Sequence, residues 1–287
     1  MELFKKFKYA KFQVVYKVGD QGLNIPPFKG STFRGTFGSV LREVACTCPG
    51  DQKGIASHHQ VNCIYAYLFE TTGKLNETKP NSDSVPRPFL FEPPDHKKTF
   101  FAPGETISLG FSLFGKGIEY LPYFIFTLQQ LGERGIGRGR HPLELLQVFT
   151  VDLDGHLHPI YENTNRIIKN QFRVYTGKDI IQKKSSAFSV FDKLSLYFIS
   201  PTRLKHDGRY TECPEFHIIL RTTVRRITSL LFYHHDGLKL DMDFTKLFKE
   251  AESVGLTSFD GGWVEWDRYS IRQKQWLKMG GIVGQAN

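Results

Sequence analysis

Residues 118–140, IEYLPYFIFTLQQLGERGIGRGR, join an apolar run directly to a loop rich in glycine and arginine. The apolar part, Ile118 to Leu131, predicts an amphipathic helix. The loop that follows, GERGIGRGR from Gly132 to Arg140, holds four glycines, which permit positive φ angles and a close approach of the backbone to a ligand. Successive exposed amides in such a loop can form an anion-binding nest. Leu143 to Phe149 then alternates, so the whole stretch predicts a helix, a cationic loop and a strand.

The arginines of this loop suggest what it binds. Arg134, Arg138 and Arg140 carry planar, forked donors that suit phosphate better than a lysine ammonium does. The spacing matches neither G-x-G-x-x-G nor the P-loop pattern, so a polyanion such as RNA fits better than a nucleotide cofactor. The alternative is a helix C-cap at Gly132 followed by a solvated basic turn.

The composition favours an acidic partner. With 38 Lys and Arg against 29 Asp and Glu, the 287-residue chain carries a formal charge of +9, which points first to nucleic acid. Its 40% hydrophobic share is that of an ordinary globular protein of about two domains. No signal-peptide core and no membrane-length apolar run is visible, so we expect a cytoplasmic protein without a membrane partner.

The first half predicts an α+β unit. Phe7 to Val18 alternates as a strand, Thr106 to Phe114 alternates as another, and Ser31 is the predicted N-cap of the helix between them. The apolar residues of that helix, at helical spacing, are Phe33, Phe37, Val40, Leu41 and Val44. Strand, helix, extended pieces, strand, helix and strand suggest the split βαβ arrangement.

Three cysteines and two histidines follow the first helix. Cys46, Cys48 and Cys63, with one of His58 or His59, have the ligand types of a structural zinc site. The C-x-C spacing is tighter than the usual C-x-x-C, so buried thiols without a metal are the alternative. The same two histidines are also general acid/base candidates, because imidazole titrates near neutrality.

The second half predicts another small α+β unit. A hairpin at Asp154-Gly155 and a polar connection precede a strand from Leu194 to Ser200, a long helix opening at Pro214 and a helix from Asp243 to Val254. Basic residues in this half are RNA-contact candidates, alongside a solvated-face alternative: Arg203, Lys205, His206, Arg209, Arg221, Arg225, Arg268 and Arg272. The predicted domains are 1–150, with the Cys/His loop, and 188–287, joined by a hairpin and linker over 151–187.

Six segments together resemble one family. They are STFRGTFGSVLREVAC, CIYAYLFE, VPRPFLFEPP, YLPYFIFTLQQLGERGIGRGR, SPTRLKHDGR and WDRYSIRQKQWLKMGGIVG. In this order, over nearly the whole chain, they are similar to the CRISPR-associated endoribonuclease of the repeat-associated mysterious protein (RAMP) superfamily that processes precursor CRISPR RNA.

This resemblance implies a fold, a reaction and partners. The fold is two tandem ferredoxin-like domains, similar to RNA-recognition modules, and the reaction is metal-independent cleavage within the repeat by 2′-hydroxyl attack, without a catalytic cofactor. His58 or His59 would be catalytic by position, with Lys29 and Arg34 as nearby cations and His206 as the rival in the second domain. The partners would be CRISPR repeat RNA and other CRISPR effector or adaptation proteins.

The resemblance departs at the end of the sequence. Family members usually continue past a GGIVG-like segment into a terminal glycine-rich loop, whereas this sequence stops at Asn287, so we expect an incomplete second domain. Three alternatives stay open: a non-catalytic CRISPR RNA-binding subunit, a domain of a longer fusion protein, and a zinc-stabilised adaptor.

Overall fold

The computed structural model describes residues 3–48, 62–70, 85–94, 97–185, 193–270 and 275–287. The chain divides into two compact units. The first comprises Met1–Lys183 with Leu230–Gly237, and the second comprises Lys184–Ser229 with Leu238–Asn287. The chain is an α+β protein with antiparallel sheets, as the sequence predicts. The predicted domain boundaries stay a prediction.

The first unit is built on one antiparallel sheet and two long helices. Its elements in chain order are β1 (Lys8–Val18), β2 (Leu23–Asn24), α1 (Gly30–Ala45), a π-helical turn (Ala66–Glu70), β3 (Phe89–Glu92), β4 (Phe100–Phe101), β5 (Thr106–Phe114), a 3₁₀ segment (Gly115–Tyr120), α2 (Leu121–Arg134), β6 (Leu143–Val151), β7 (Leu157–Glu162), β8 (Tyr175–Thr176) and α3 (Gly177–Ser185). The main sheet has the order β3-β5-β1-β6-β7, and β2 pairs separately with β4. The connectivity β1-α1-β3-β5-α2-β6 is β-α-β-β-α-β, the split βαβ order.

The alternation of β1 decides where the core of the first unit lies. Ala10, Phe12, Val14, Tyr16 and Val18 are buried while their neighbours are partly exposed, because successive strand residues point to opposite faces. The Tyr16 hydroxyl donates to the Leu128 carbonyl of α2 at 2.9 Å, which satisfies a polar group inside the core. Burial of a valine or phenylalanine side chain in this way contributes about 1.5–3 kcal/mol.

Helix α1 begins earlier than the sequence predicts. Ser31 as N-cap is wrong, since α1 begins at Gly30 and its cap residue, Lys29, makes no side-chain capping bond. The predicted apolar face is confirmed for Phe33, Phe37, Val40 and Leu41, which are all buried. A Cβ added at Gly38 would lie 2.1 Å from the Phe69 ring, so this glycine permits a close helix contact. A Cβ added at Gly35 would have no atom within 4 Å.

The apolar run before the basic loop contains two elements rather than one. Gly115–Tyr120 is a 3₁₀ segment, and α2 starts at Leu121, with a proline in its first turn. Proline suits this position because its fixed φ is helical and its missing N–H would have no intrahelical acceptor. Helix α2 ends at Arg134, so its C-cap is Gly135 and not the predicted Gly132.

The second unit is smaller. Its elements are β9 (Leu196–Thr202), β10 (Leu204–His206), β11 (Arg209–Thr211), α4 (Phe216–His234), α5 (Phe244–Glu252), β12 (Phe259–Ser270) and β13 (Gln275–Ala286). Its three-stranded sheet has the order β12-β13-β9, and β10 pairs with β11 in a hairpin. Leu204, Ile218 and Ile282 form the buried core of this unit.

Helix α5 starts where the sequence predicts, and helix α4 ends in the other unit. Asp243 accepts a bond from the Lys246 backbone amide at 3.0 Å and so caps α5, as the predicted helix start requires. The last turn of α4 belongs to the first unit, with Leu230–Gly237. None of the helices in the described ranges is long and apolar enough to cross a membrane.

Candidate nucleic-acid interface

The loop after α2 is a closed turn with a fixed backbone. Ile136 and His141 exchange two backbone hydrogen bonds of 2.9 Å, and Gly135, Gly137 and Arg140 have φ of 80°, 75° and 48°. A Cβ at Gly135 would lie 2.1 Å from the Arg140 carbonyl oxygen. Glycine is therefore required at this position by both conformation and space.

The amides of this loop are largely occupied. Those of Gly135, Ile136, Arg140 and His141 donate to backbone carbonyls within the helix end and the turn itself. The successive amides of Gly137, Arg138 and Gly139 are the ones that an anion nest would use, and the nest stays a prediction. Arg138 and Arg140 are both exposed at the tip.

Arg134 differs from its two neighbours. Its guanidinium pairs with the Glu43 carboxylate near the end of α1, so it ties the two helices of the first unit together. Arg134 is itself exposed, but an arginine whose charge is already matched by a carboxylate is a weaker phosphate ligand than an unmatched one. The structure thus separates the three predicted arginines into one paired residue and two at the exposed tip.

The second unit has its own basic surface on the β10–β11 hairpin. Lys205, His206 and Arg209 are exposed, and Arg203 lies just before the hairpin. The His206 ring packs edge-on against His217 at 5.2 Å, and its Nε2 lies 3.5 Å from an Asp207 carboxylate oxygen. His217 in turn contacts Glu215 at 2.7 Å.

Among the remaining predicted RNA contacts, one arginine is paired with a carboxylate and another is exposed. Arg221 on α4 donates to Glu252 at 2.7 Å and lies over the Phe248 ring at 4.4 Å, so it bridges α4 and α5. Arg225, one helical turn later, is exposed. Arg268 lies on β12, opposite Leu277, and Arg272 lies outside the described residues.

Of the four predicted catalytic residues, two have described surroundings. His58 and His59 lie outside the described residues. Lys29 is only 1% exposed, and its ammonium donates to the Pro27 carbonyl at 3.3 Å. Burial lowers the pKa of Lys29, because desolvation disfavours the charged form. The Arg34 guanidinium lies 4.9 Å over the Phe69 ring, in a cation–π contact.

The three cysteines of the predicted metal site do come together. The Sγ atoms of Cys46, Cys48 and Cys63 all lie within 4.8 Å of one another, at the end of α1 and the start of the π-helical turn. None of the four cysteines, all of them described, forms a disulfide. Burial, aided by bonds from the other two thiols, raises the pKa of Cys63 to about 12. This cluster could hold a structural metal.

Tyr210 is absent from the predicted binding residues although it lies in the basic hairpin. It is 55% exposed, and the Arg203 guanidinium lies over its ring at 4.9 Å. A signal was present in the sequence: the Asp207-Gly208 turn fixes the hairpin register, and this register places Tyr210 opposite Lys205. The stacking of Arg203 on the ring could not have been read from that spacing.

Two family models match the chain, one over its first part and one over its last part. The model AF_1859_N, an N-terminal domain, matches residues 7–172, and the model of the CRISPR-associated endoribonuclease Cas6 matches residues 196–287. Residues 196–287 belong to the Cas6 family. The family resemblance stated from the sequence is thereby confirmed.

One curated protein is similar to part of this chain. An uncharacterized protein of Archaeoglobus fulgidus is 33% identical over 113 residues, which are 39% of this chain and 37% of the relative. The match thus spans little more than a third of the length of that relative.

Two solved structures are similar to this chain. The partial Cas6-RT-Cas1–Cas2 complex is similar with a TM-score of 0.55 at 11% identity, over 98% of this chain and 39% of that one. A Cas6 (TTHB231) product complex has a TM-score of 0.49 at 14% identity, over 97% of this chain and 83% of that one.

Proposed function

We propose that this chain is an endoribonuclease that cleaves precursor CRISPR RNA within the repeat. The observation that carries the proposal is the match of residues 196–287 to the Cas6 endoribonuclease model. Exposed cationic side chains in both units support it: Arg138 and Arg140 in the first, Lys205 and Arg209 in the second. Such groups neutralise phosphates, whatever the base sequence.

The proposed fold is a pair of ferredoxin-like domains. The first unit supports this with its β-α-β-β-α-β order and a sheet that runs β3-β5-β1-β6. In the second, β9, α4, β12 and β13 come in this order along the chain, with β10, β11 and α5 between them. Its strand order β12-β13-β9 matches the first three strands of that arrangement. RNA-recognition modules, which bind single-stranded RNA, have this strand order.

The proposed reaction needs no metal. The 2′-hydroxyl attacks the adjacent phosphorus while the P–O5′ bond breaks, which leaves a 2′,3′-cyclic phosphate and a 5′-hydroxyl. His58 or His59 would take the proton of the 2′-hydroxyl or give one to the 5′-oxygen, and a cation would stabilise the charge on the phosphorane. Arg34, partly exposed, is better suited to that contact than Lys29, which is buried.

Cleavage of a repeat RNA in EDTA tests the function. We expect product with a cyclic phosphate end from the wild type, and a loss of about 10²-fold or more in rate for His58→Ala or His59→Ala, the size typical of a general acid or base. An RNA with a 2′-deoxy nucleotide at the cut site is the substrate control and should stay intact. Binding without cleavage would instead support the alternative of a non-catalytic CRISPR RNA-binding subunit.

We extend the proposal to the partners. CRISPR repeat RNA is the proposed substrate, and CRISPR effector or adaptation proteins are proposed partners. The Cas6-RT-Cas1–Cas2 complex, in which a Cas6 part occurs together with RT, Cas1 and Cas2, motivates the second of these and the alternative that the chain is a domain of a longer fusion.

The three-thiol cluster is proposed to hold structural zinc. Tetrahedral thiolates at a Zn–S distance of ~2.3 Å would stand ~3.8 Å apart, so the observed cluster has to contract by no more than about 1 Å. One of His58 and His59 is the proposed fourth ligand. Because the Cys63 thiol holds its proton strongly, zinc has to displace it, and binding should weaken as the pH falls.

Metal content measures this site directly. We expect one zinc per chain in the wild type and in Cys213→Ser, because Cys213 is exposed and lies in the second unit. Cys48→Ser and Cys63→Ser should each lose it, together with the thiolate-to-cobalt absorption of the cobalt-loaded wild type. Wild-type protein that takes up no zinc at neutral pH, or a Cys213→Ser variant that loses as much as Cys63→Ser, would contradict the site. The same measurement after EDTA treatment states whether the cleaving enzyme still holds its metal.

A further inference from the structure

The β10–β11 hairpin has one face with exposed side chains and one face that packs on the core of the second unit. Its register pairs Lys205 with Tyr210 and His206 with Arg209, and successive residues point to opposite faces. Lys205 and Tyr210 therefore share one face, while Leu204, on the other, is buried in the core of the second unit. Asp207 and Gly208 have φ of 46° and 80°, the two positive values of a type I′ turn, which fixes this register.

Arg203 stacks on one side of the Tyr210 ring. Its guanidinium lies 4.9 Å from the ring centroid, and its Nε donates to the Gly280 carbonyl of β13 at 2.6 Å. The arginine is thus fixed to the sheet at one end and stacked on the tyrosine at the other. A ring held in this way loses little conformational freedom when a second planar group stacks on it.

Trp263 extends the aromatic surface. Its ring lies 6.2 Å from that of Tyr210 at an interplanar angle of 40°, and its indole packs against Gly280, where an added Cβ would come within 2.5 Å of Nε1. Gly280 therefore contacts both side chains: its carbonyl accepts the Arg203 hydrogen bond, and its Cα packs against the Trp263 indole. Guanidinium, tyrosine and indole form one ordered assembly, which we name the Tyr210 platform: Arg203, Tyr210 and Trp263.

Fold stability alone does not account for the exposure of this ring. Tyr210 remains 55% exposed although two planar groups order it, and Lys205 stands beside it with an exposed ammonium. An ordered, exposed aromatic ring beside cations is the combination that binds single-stranded nucleic acid, because the ring stacks on a base and the cations neutralise adjacent phosphates. A base inside a duplex offers no free face for that contact.

We propose that the Tyr210 platform binds an unpaired base of RNA by stacking on the Tyr210 ring, with Lys205 at a neighbouring phosphate. This inference rests on the proposed function, since it takes RNA as the ligand. The platform would make the second unit prefer single-stranded RNA over paired RNA, a preference that the basic residues alone do not provide. Stacking is tolerant of sequence, so the preference is for an unstacked base and not for one particular base.

The test uses the full chain and two RNA probes. One is a single-stranded oligonucleotide with a central 2-aminopurine, and the other is the same strand fully paired with its complement. Tyr210→Ala should weaken binding of the single strand by about tenfold or more, the affinity equivalent of one base–aromatic stack. It should change duplex affinity by less than about twofold. Tyr210→Phe, which keeps the ring, should bind like the wild type.

A matched control separates stacking from general damage. Tyr197 on β9 is 65% exposed and lies in the same unit, so Tyr197→Ala removes an equally exposed ring from another place. Fluorescence of 2-aminopurine should be quenched by the wild type, Tyr210→Phe and Tyr197→Ala, and much less by Tyr210→Ala. Circular dichroism of each variant checks that the fold is kept.

The outcomes are distinct. Equal losses for Tyr210→Ala and Tyr197→Ala, equal losses on the single strand and the duplex, or unchanged quenching in Tyr210→Ala would each overturn the platform while leaving the proposed endoribonuclease intact. Wild-type protein that binds neither probe and leaves repeat RNA uncut would overturn the proposed function, and the platform with it.

Discussion

The protein is expected to lose about 3 kcal/mol of unfolding free energy between pH 7 and pH 4 through one side chain, His234. His234 is fully buried at the end of α4. Its Nε2 lies 2.6 Å from the Pro86 carbonyl, and its Nδ1 lies 3.1 Å from the Tyr67 hydroxyl. A neutral imidazole satisfies both contacts, with Nε2–H donating to the carbonyl and Nδ1 accepting from the hydroxyl.

The direction of the effect follows from the pKa. Burial, with the neighbouring His235, lowers the pKa of His234 from its ordinary 6.5 to about 4 in the folded chain. As the pH falls below 6.5, His234 becomes protonated in the unfolded chain but stays neutral in the folded chain until the pH approaches 4. The stabilisation is therefore complete above pH 6.5 and is lost as the pH falls toward 4.

Urea unfolding at several pH values measures this contribution. Circular dichroism is the suitable signal, because Trp263, Trp266 and Trp276 all lie in the second unit and His234 in the first. His234→Gln should be less stable than the wild type at pH 7 and should have a flatter pH dependence between 6.5 and 4. An unchanged slope in His234→Gln would refute the assignment.

Gly135→Ala is expected to cost about 3 kcal/mol or more of unfolding free energy. Gly135 has φ 80° and ψ 158°, a region that is essentially closed to residues with a Cβ. The added methyl group would also lie 2.1 Å from the Arg140 carbonyl oxygen, which is backbone and cannot rotate away. Relief of this overlap has to open the turn between Ile136 and His141.

Gly104→Ala is the matched control for this change. Gly104 has the same φ of 80°, but an added Cβ would meet nothing within 4 Å. It should lose only the conformational part, about 1 kcal/mol. If Gly135→Ala lost no more than Gly104→Ala in urea unfolding, the close packing of the turn would be contradicted. Opening the turn also displaces Arg138, so RNA affinity should fall in Gly135→Ala and stay near wild type in Gly104→Ala.

Features that depend on neighbours in the sequence could be predicted well. The alternation of β1, the helical face of α1, the hairpin at Asp154-Gly155 and the Asp243 cap of α5 all follow from periodicity or turn chemistry, and the structure has each of them. The cysteine cluster also follows, because Cys46 and Cys48 are adjacent to a helix end and Cys63 opens the next apolar segment.

Features that depend on distant partners could not be predicted. Arg134 and Arg221 have the spacing of phosphate ligands, yet each is matched by a carboxylate far along the chain, at Glu43 and Glu252. No local pattern reveals such a pairing. The buried state of His234 is set in the same way, by Tyr67 and Pro86, more than a hundred residues earlier.

The division of α4 between the two units has a practical consequence for dissecting the molecule. A fragment cut at Lys183 would retain every strand of the larger sheet but lose Leu230–Gly237, which packs as part of that unit. The Pro86 carbonyl and the Tyr67 hydroxyl would lose their imidazole, and Gly115, whose Cα abuts the His234 backbone, would face a void. This fragment should therefore be poorly soluble in isolation, and adding the 230–237 peptide in trans should restore it.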